Sequence, residues 1–220
     1  MPTSVVVSQP MSPHRERVFK GDVSSEHLVQ LFDEPESLVS GVADFLYAGW
    51  SRGDNLIVVA RSAHWALTSK ELEARGCPVA ETVASGRLVV LDAATTMATF
   101  MINGAPDRER FNAVVGELVA SLRAGSKAGL SVYGEMVDLL VAQGNFEAAE
   151  RLEALWNELG QTCSFCLLCG YSSAHFGDES TSAHLHEICG LHDRASARTT
   201  DLLATWLLAN RRPRYHLDTP

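Results

Sequence analysis

Charged residues follow two of the apolar segments of this sequence, where they could bind a ligand. The segment HLVQLF (27–32) leads into Asp33-Glu34-Pro35-Glu36, and GLSVYGE (129–135) ends on Glu135. A loop that binds phosphate at such a turn needs glycines and a lysine, which donate to the phosphate oxygens. The loop 33–36 has neither residue type and carries three carboxylates. Because carboxylates repel phosphate, the sequence favours a small neutral or cationic ligand over ATP.

These acidic residues have a structural interpretation as well. Carboxylates at a helix N-terminus stabilise the helix by about 0.3–1 kcal/mol each, and Pro35 suits the first helical turn. Asp92, which opens the segment DAATT, could likewise cap the turn that follows it. The patterns leave a capping role and a ligand-binding role open for the loop 33–36 and for Asp92.

Cysteines and histidines in the C-terminal third could bind zinc. The segment CSFCLLC (163–169) holds three cysteines, and the residues after it include His184, His186, Cys189 and His192. In a strand that rises about 3.3 Å per residue, Cys163 and Cys169 would stand about 20 Å apart, with Cys166 on the opposite face. Cysteines buried as small apolar residues, without metal or other cofactor, are the favoured interpretation. The alternative is a site that joins Cys169 to His186, Cys189 or His192.

Apolar strands alternating with amphipathic helices must position these residues. The predicted strands are 27–32, 55–60, 87–92, 129–135 and 164–171. The predicted helices are 37–49, 64–75, 107–122 and 146–159. Short, nearly all-apolar strands joined by helices are typical of the α/β class, with a mostly parallel sheet covered by helices on both faces. Ligands of such sheets bind outside the carboxyl ends of the strands, which is where we place the candidate site.

Composition excludes several classes of protein. The net charge of −9 and the pI of about 5.3 disfavour direct binding of nucleic acid through general charge. No apolar run approaches the roughly 20 residues of a membrane helix, and the first residues lack the pattern of a signal peptide. The five cysteines, an odd number, fit a reducing compartment. We therefore expect a cytoplasmic protein.

Catalytic motifs are missing from the sequence. It has no nucleophile elbow, no HExxH segment and no glycine-rich dinucleotide fingerprint. The nearest match to an elbow, GLSVYG, places Ser131 inside a predicted strand, where nucleophilic attack is implausible. We predict no catalytic residue and no enzymatic activity.

Longer segments resemble the MEDS family, the methanogen/methylotroph DcmR-type sensory domain. The segment from His27 to His64 resembles its opening, and later blocks are GRLVVLDAATTMATFMINGAPDRERF, YGEMVDLLVAQGNFEAAERLEALWNEL and CLLCGY…ICGLH. The resemblance covers about residues 27–192. It implies a sensory module for simple hydrocarbon derivatives, found alone or joined to histidine kinases and transcriptional regulators. Because this sequence shows no output segment, we expect a kinase or regulator in trans, or a homodimer.

The block from Phe45 to Asp92 is also similar to RecA/KaiC-like ATPases. That similarity implies that residues 27–41 occupy the place of the phosphate-binding loop without its chemistry. A nucleotide-binding or ATP-hydrolysing protein with an atypical loop is therefore one alternative function, and a metal-dependent sensor is another. The strand ends and the two resemblances together give ten candidate ligand-binding residues: His27, Gln30, Phe32, Asp33, Glu34, His64, Asp92, Glu135, Cys169 and Tyr171.

The chain is expected to have three parts. Residues 1–25 form a mobile tail, 26–195 the sensory domain, and 196–220 a C-terminal helix and tail. Within the last part, Leu202, Leu203, Trp206 and Leu207 share one face of a predicted helix. We expect that face to cover apolar surface of its own domain, with a homodimer contact as the alternative.

Overall fold

A computed structural model describes residues 25–124, 127–177 and 179–198. The predicted N-terminal tail falls almost wholly outside the described residues. The predicted C-terminal helix lies outside them too, so both remain predictions.

Strands and helices alternate along the described chain, as the hydrophobic pattern predicts. The strands are β1 (Glu26–Phe32), β2 (Asn55–Ala60), β3 (Leu88–Asp92), β4 (Met101–Ile102), β5 (Ala105–Pro106), β6 (Leu130–Gly134), β7 (Cys166–Ser172) and β8 (Arg194–Arg198). The helices are α1 (Pro35–Arg52), α2 (Ser62–Ala74), α3 (Val79–Ala84), α4 (Ala93–Phe100), α5 (Arg108–Phe111), α6 (Glu117–Arg123), α7 (Met136–Ala142), α8 (Phe146–Thr162) and α9 (Glu179–Gly190). A π-helical turn (Asn112–Gly116) joins α5 to α6, and a 3₁₀ turn (Ser173–Phe176) follows β7.

Six of the strands form one sheet in the order β3-β2-β6-β7-β1-β8, and every neighbouring pair is parallel. Alternate side chains pack into two separate cores. Val29 and Leu31 belong to the core beneath α4 to α9, whereas Leu28 and Phe32 belong to the core beneath α1, α2 and α3. The predicted α/β class, with a parallel sheet covered on both faces, is confirmed.

One predicted helix differs in detail from the structure, and several observed elements were not predicted. The helix predicted over 107–122 contains the π-helical turn, and Asp107 caps its start by accepting from Arg110 N at 3.0 Å. The hairpin of β4 and β5 and the edge strand β8 were not predicted. β8 reads RASAR and has no apolar run, so the hydrophobic pattern did not indicate it. It lies at the edge of the sheet and has a neighbouring strand on one side only.

Gln30 is a packing residue of β1. Its side chain lies against Gly41 of α1, where a Cβ atom would stand 2.1 Å from Gln30 Oε1. Its amide Nε2 donates to Ser37 O at 3.2 Å. Gln30 is 2% exposed, so it holds α1 against the sheet.

No helix within the described ranges is both long enough and apolar enough to cross a membrane.

Candidate functional site

Five side chains meet at the carboxyl ends of the central strands; we call them the carboxyl-edge cluster. They are Arg61, His64, Tyr133, Glu135 and Asp138. Arg61 follows β2, and Glu135 follows β6 and precedes α7. The parallel arrangement of β2 and β6 brings both positions to the same edge of the sheet.

Glu135 is fully buried and its carboxylate is bonded on both oxygens. Oε1 accepts from the Tyr133 hydroxyl at 2.9 Å. Oε2 accepts from Arg61 Nη1 at 3.1 Å and lies 2.9 Å from His64 Nδ1. A buried carboxylate requires such partners, because an unpaired charge in the protein interior is strongly unfavourable.

Asp138, one helical turn after Glu135, extends the cluster toward β7. Its Oδ2 accepts from Arg61 Nη2 at 2.5 Å, and its Oδ1 accepts from the backbone amide of Ser172 at 2.8 Å. His175 Nε2 lies 3.4 Å from Oδ1. Arg61 therefore joins two buried carboxylates, while 27% of its own side chain remains exposed.

Burial and charge shift the pKa values of two members of this cluster. For Arg61, burial lowers the pKa, but the bond to Asp138 and the charges of Asp138 and Glu135 more than offset it, so the pKa is raised. For Tyr133, burial and the adjacent Glu135 carboxylate raise the pKa well above its usual value. Arg61 is thus a permanent cation, and Tyr133 is a permanent hydroxyl donor.

A second cluster lies under α8, on the face of the sheet that packs against α4 to α9; we call it the sheet-face cluster. Its members are His27, Glu153, Cys169, Tyr171 and His192. His27 Nε2 lies 3.2 Å from Glu153 Oε2 and 3.4 Å from Cys169 Sγ. Cys169 Sγ donates to the same Oε2 at 3.4 Å, and the Tyr171 hydroxyl donates to Oε1 at 2.6 Å.

Electrostatic effects in the sheet-face cluster centre on Glu153. Burial raises its pKa, but His192 and His27 lower it by more, so the pKa lies far below its usual value. Burial lowers the pKa of His27, and the Glu153 carboxylate more than offsets this, so that pKa is raised. The pKa of His192 is lowered, chiefly by burial. Burial and the Glu153 charge raise the pKa values of Cys169 and Tyr171 well above normal.

Some of the candidate ligand-binding residues lie at the carboxyl edge, and others lie in the sheet-face cluster. Glu135 and His64 meet at the carboxyl edge, where the Phe32 ring stands edge-on to His64 with 6.4 Å between centroids. His27, near the start of β1, is about 16 Å from Phe32 along the strand and lies in the sheet-face cluster. The site expected at the carboxyl ends of the strands therefore does not include His27. The Tyr171 hydroxyl binds Glu153 and not Glu135.

The acidic residues of the first loop lie at the surface. Glu34 is exposed and precedes α1, and its carbonyl oxygen accepts from Ser37 N at 3.0 Å. Asp33 is partly exposed. Asp92 is the N-cap of α4, and its side chain accepts from Thr95 N at 2.8 Å. For Asp92 the structure shows the capping geometry that the sequence left open.

The zinc alternative named four residues, of which the structure brings two together. Cys169 and His192 share the sheet-face cluster, whereas His186 is exposed on α9. Cys189 is buried near them but is not one of the four grouped ligands. Cys166 packs on the opposite side of the sheet, as strand alternation predicts.

Four residues of the two clusters are absent from the candidate residues: Arg61, Tyr133, Asp138 and Glu153. Glu153 had a detectable signal, because it lies four residues after Ala149 and three before Trp156, on the apolar face of α8. A carboxylate on a buried helical face needs partners. Asp138 follows Glu135 by three residues and so shares its side of the helix.

Comparison with known proteins shows that the chain matches a family of sensory domains. The model of the family described as MEthanogen/methylotroph, DcmR Sensory domain matches residues 26–193, well over half of the chain. The chain belongs to the MEDS family. The matched MEDS region includes every residue of the carboxyl-edge and sheet-face clusters. The role indicated for this MEDS chain is sensory or regulatory.

Two further comparisons concern solved structures and curated proteins. The crystal structure of flagellar accessory protein FlaH from Methanocaldococcus jannaschii aligns with 82% of this chain and 75% of its own, at 9% sequence identity and a TM-score of 0.47. No curated protein matches the chain significantly.

Proposed function

We propose that this MEDS domain binds a small, neutral, polar organic molecule at the carboxyl-edge cluster and signals the binding to a protein partner. The observation that carries the proposal is the position of Arg61. This partly exposed cation bridges the buried carboxylates of Glu135 and Asp138 at the edge of the sheet where α/β proteins bind ligands. The sensory family supports the regulatory part of the proposal.

The charges of the cluster define the class of ligand. Two carboxylates and one guanidinium leave one net negative charge when His64 and the adjacent His175 are neutral. An anionic ligand is repelled, whereas a hydroxyl or carbonyl group can exchange hydrogen bonds with Arg61 and a carboxylate. The Phe32 ring beside His64 offers apolar contact to a short carbon chain. Simple alcohols, aldehydes and related hydrocarbon derivatives match these requirements.

Arg61 also provides a route for the signal. It immediately precedes α2, and its backbone amide donates to Glu135 Oε2 at 3.3 Å. A ligand that competes for Glu135 or Asp138 alters both the side-chain and the backbone contacts of Arg61. The start of α2 then shifts relative to the sheet, and a kinase or transcriptional regulator in trans detects the change.

The test is a thermal-shift screen with short alcohols, aldehydes and halomethanes, and with ATP with and without Mg²⁺. A ligand at 100 times its Kd stabilises the protein by about 2.7 kcal/mol. That corresponds to about 5–11 °C for a chain of this size. We expect one of the neutral compounds to give a shift, and Asp138→Asn and Arg61→Gln each to abolish it.

The matched control is Arg75→Gln, since Arg75 bridges Asp44 and Glu71 at the surface. This variant should keep the full ligand-induced shift. A shift with ATP alone supports the nucleotide-binding alternative instead. Ligand-induced shifts that survive both cluster variants, each shown to be folded by circular dichroism, would place the ligand elsewhere and refute the proposed site.

A further inference from the structure

The sheet-face cluster has the composition of a transition-metal site. His27, Glu153, Cys169 and His192 are all buried, and each offers one ligand atom, with all four atoms within 4.8 Å of one another. Two imidazole nitrogens, a sulfur and a carboxylate oxygen are a ligand set that zinc accepts. Ca²⁺ and Mg²⁺ prefer oxygen ligands in larger number, so this set disfavours them.

Three of the four atoms already form one face of a tetrahedron. His27 Nε2, Glu153 Oε2 and Cys169 Sγ are separated by 3.2, 3.4 and 3.4 Å, a nearly equilateral triangle. Metal bonds of about 2.0–2.3 Å in a tetrahedral zinc site place neighbouring ligand atoms about 3.3–3.7 Å apart. Small rotations of the four side chains would therefore centre an ion among them.

Both histidines are oriented by partners outside the cluster. Asn157 Nδ2 donates to Leu191 O at 2.9 Å, so Asn157 Oδ1 faces His27 Nδ1, 2.9 Å away, and accepts a hydrogen bond from Nδ1–H. His192 Nδ1 donates to Ile188 O at 2.7 Å. Protonation at Nδ1 leaves the Nε2 lone pair of each neutral ring directed into the cluster. Metal-binding histidines characteristically show this arrangement, with the distal N–H held by an amide or carbonyl oxygen.

The contact between His192 and Glu153 also fits a cation. His192 Nε2 lies 3.3 Å from Glu153 Oε1. A divalent cation placed between these two atoms would bind both, because an imidazole nitrogen and a carboxylate oxygen each offer a lone pair to a metal.

We propose that His27, Glu153, Cys169 and His192 bind one divalent transition-metal ion of the zinc class. The ligands come from β1, α8, β7 and the turn between α9 and β8. An ion there fastens the C-terminal part of the domain to the middle of the sheet. The four ligands fill a tetrahedral shell, which is typical of structural sites. This inference does not depend on ligand binding at the carboxyl-edge cluster.

The first experiment loads the metal-free protein with Zn²⁺ and counts bound metal by mass spectrometry after desalting. We expect one ion per chain, and zinc-edge X-ray absorption that reports one sulfur ligand among nitrogen and oxygen. Loading with Co²⁺ should produce the absorption of tetrahedral cobalt together with a thiolate-to-cobalt charge-transfer band. Failure to retain either metal would overturn the proposal.

Two variants test whether Cys169 and His192 are ligands of the metal ion. Cys169→Ser should lose the charge-transfer band, and His192→Gln should weaken zinc binding at least tenfold. Cys163→Ser is the matched control, because Cys163 is partly exposed and outside the cluster, and it should change neither readout. Full retention of the sulfur signal in Cys169→Ser would assign the metal to other residues and refute the site. If Cys169→Ser does not fold, the cobalt band of the native chain and of Cys163→Ser still decides whether a buried thiolate binds.

Discussion

Arg61 Nη2 lies 2.5 Å from Asp138 Oδ2, and this contact connects the end of β2 to the first turn of α7. The carboxylate is almost completely buried, with 3% of the side chain exposed, whereas the guanidinium reaches the surface. Removing the carboxylate would leave a half-buried cation with one of its two anionic partners gone.

We expect Asp138→Ala to reduce the free energy of unfolding by about 3 kcal/mol, because breaking one side of a buried ion pair is strongly unfavourable. Urea denaturation followed by circular dichroism measures the change. Asp44→Ala is the control, since the Asp44–Arg75 pair lies nearer the surface and should contribute less than about 1 kcal/mol. Equal losses in the two variants would contradict the importance of the Arg61–Asp138 contact.

Gly41→Ala should destabilise the protein by about 1–3 kcal/mol, as overpacking of a tight core does. The added methyl group would occupy the space of the Gln30 amide, which is held by Ser37 O. The double variant Gln30→Ala/Gly41→Ala should recover part of this loss, and a thermodynamic cycle from chemical denaturation measures the coupling. Simple additivity of the two changes would mean that Gln30 does not limit the space at Gly41.

Cys169 should resist alkylation in the metal-free native protein. Its side chain is fully buried, and burial with the nearby Glu153 carboxylate raises the thiol pKa well above normal, so the reactive thiolate is scarce. Cys163 is partly exposed and should react with iodoacetamide much sooner. Peptide mass spectrometry after timed labelling at pH 8 compares the two sites. Equal labelling rates in folded protein would be inconsistent with the buried cluster.

The helix cap at Asp92 should give a pH-dependent contribution to stability. The hydrogen bond from Thr95 N lowers the carboxyl pKa below its usual 3.8, so the stabilisation is present above that value and is lost as pH falls through the folded pKa. Asp92→Asn keeps a cap acceptor that does not titrate. The stability difference between wild type and Asp92→Asn, measured by urea titration, should therefore be constant from pH 5 to 7 and change below about pH 4. A difference independent of pH down to pH 3 would contradict this role.

Local pattern was sufficient for five of the six strands of the parallel sheet and for the long helices α1, α2 and α8, but not for β8, the hairpin of β4 and β5, or the helices α3, α4, α7 and α9. β1, β2, β3, β6 and β7 agree with the predicted segments to within two residues or so, because each is a short apolar run between polar turns. The caps at Asp92 and Asp107 were also predictable, since a cap involves only residues within one helical turn. The position of Glu135 at the edge of the sheet was predictable as well, because it is the last residue of an apolar segment.

Tertiary structure decided which side chains meet. β1 pairs with β7 in a register that places Val29 opposite Cys169, and this register turns His27 and Cys169 toward the same face of the sheet. Glu153 reaches them from α8, and His192 from beyond α9. Contacts over such sequence separations depend on strand order and helix packing, and no periodicity of the sequence encodes either. The sequence therefore determined that this protein is a parallel α/β domain with carboxylates at its strand ends. Only the tertiary structure shows that Glu153 and His192 meet His27 near the amino end of β1, because these contacts depend on how α8 and the turn after α9 pack against the sheet.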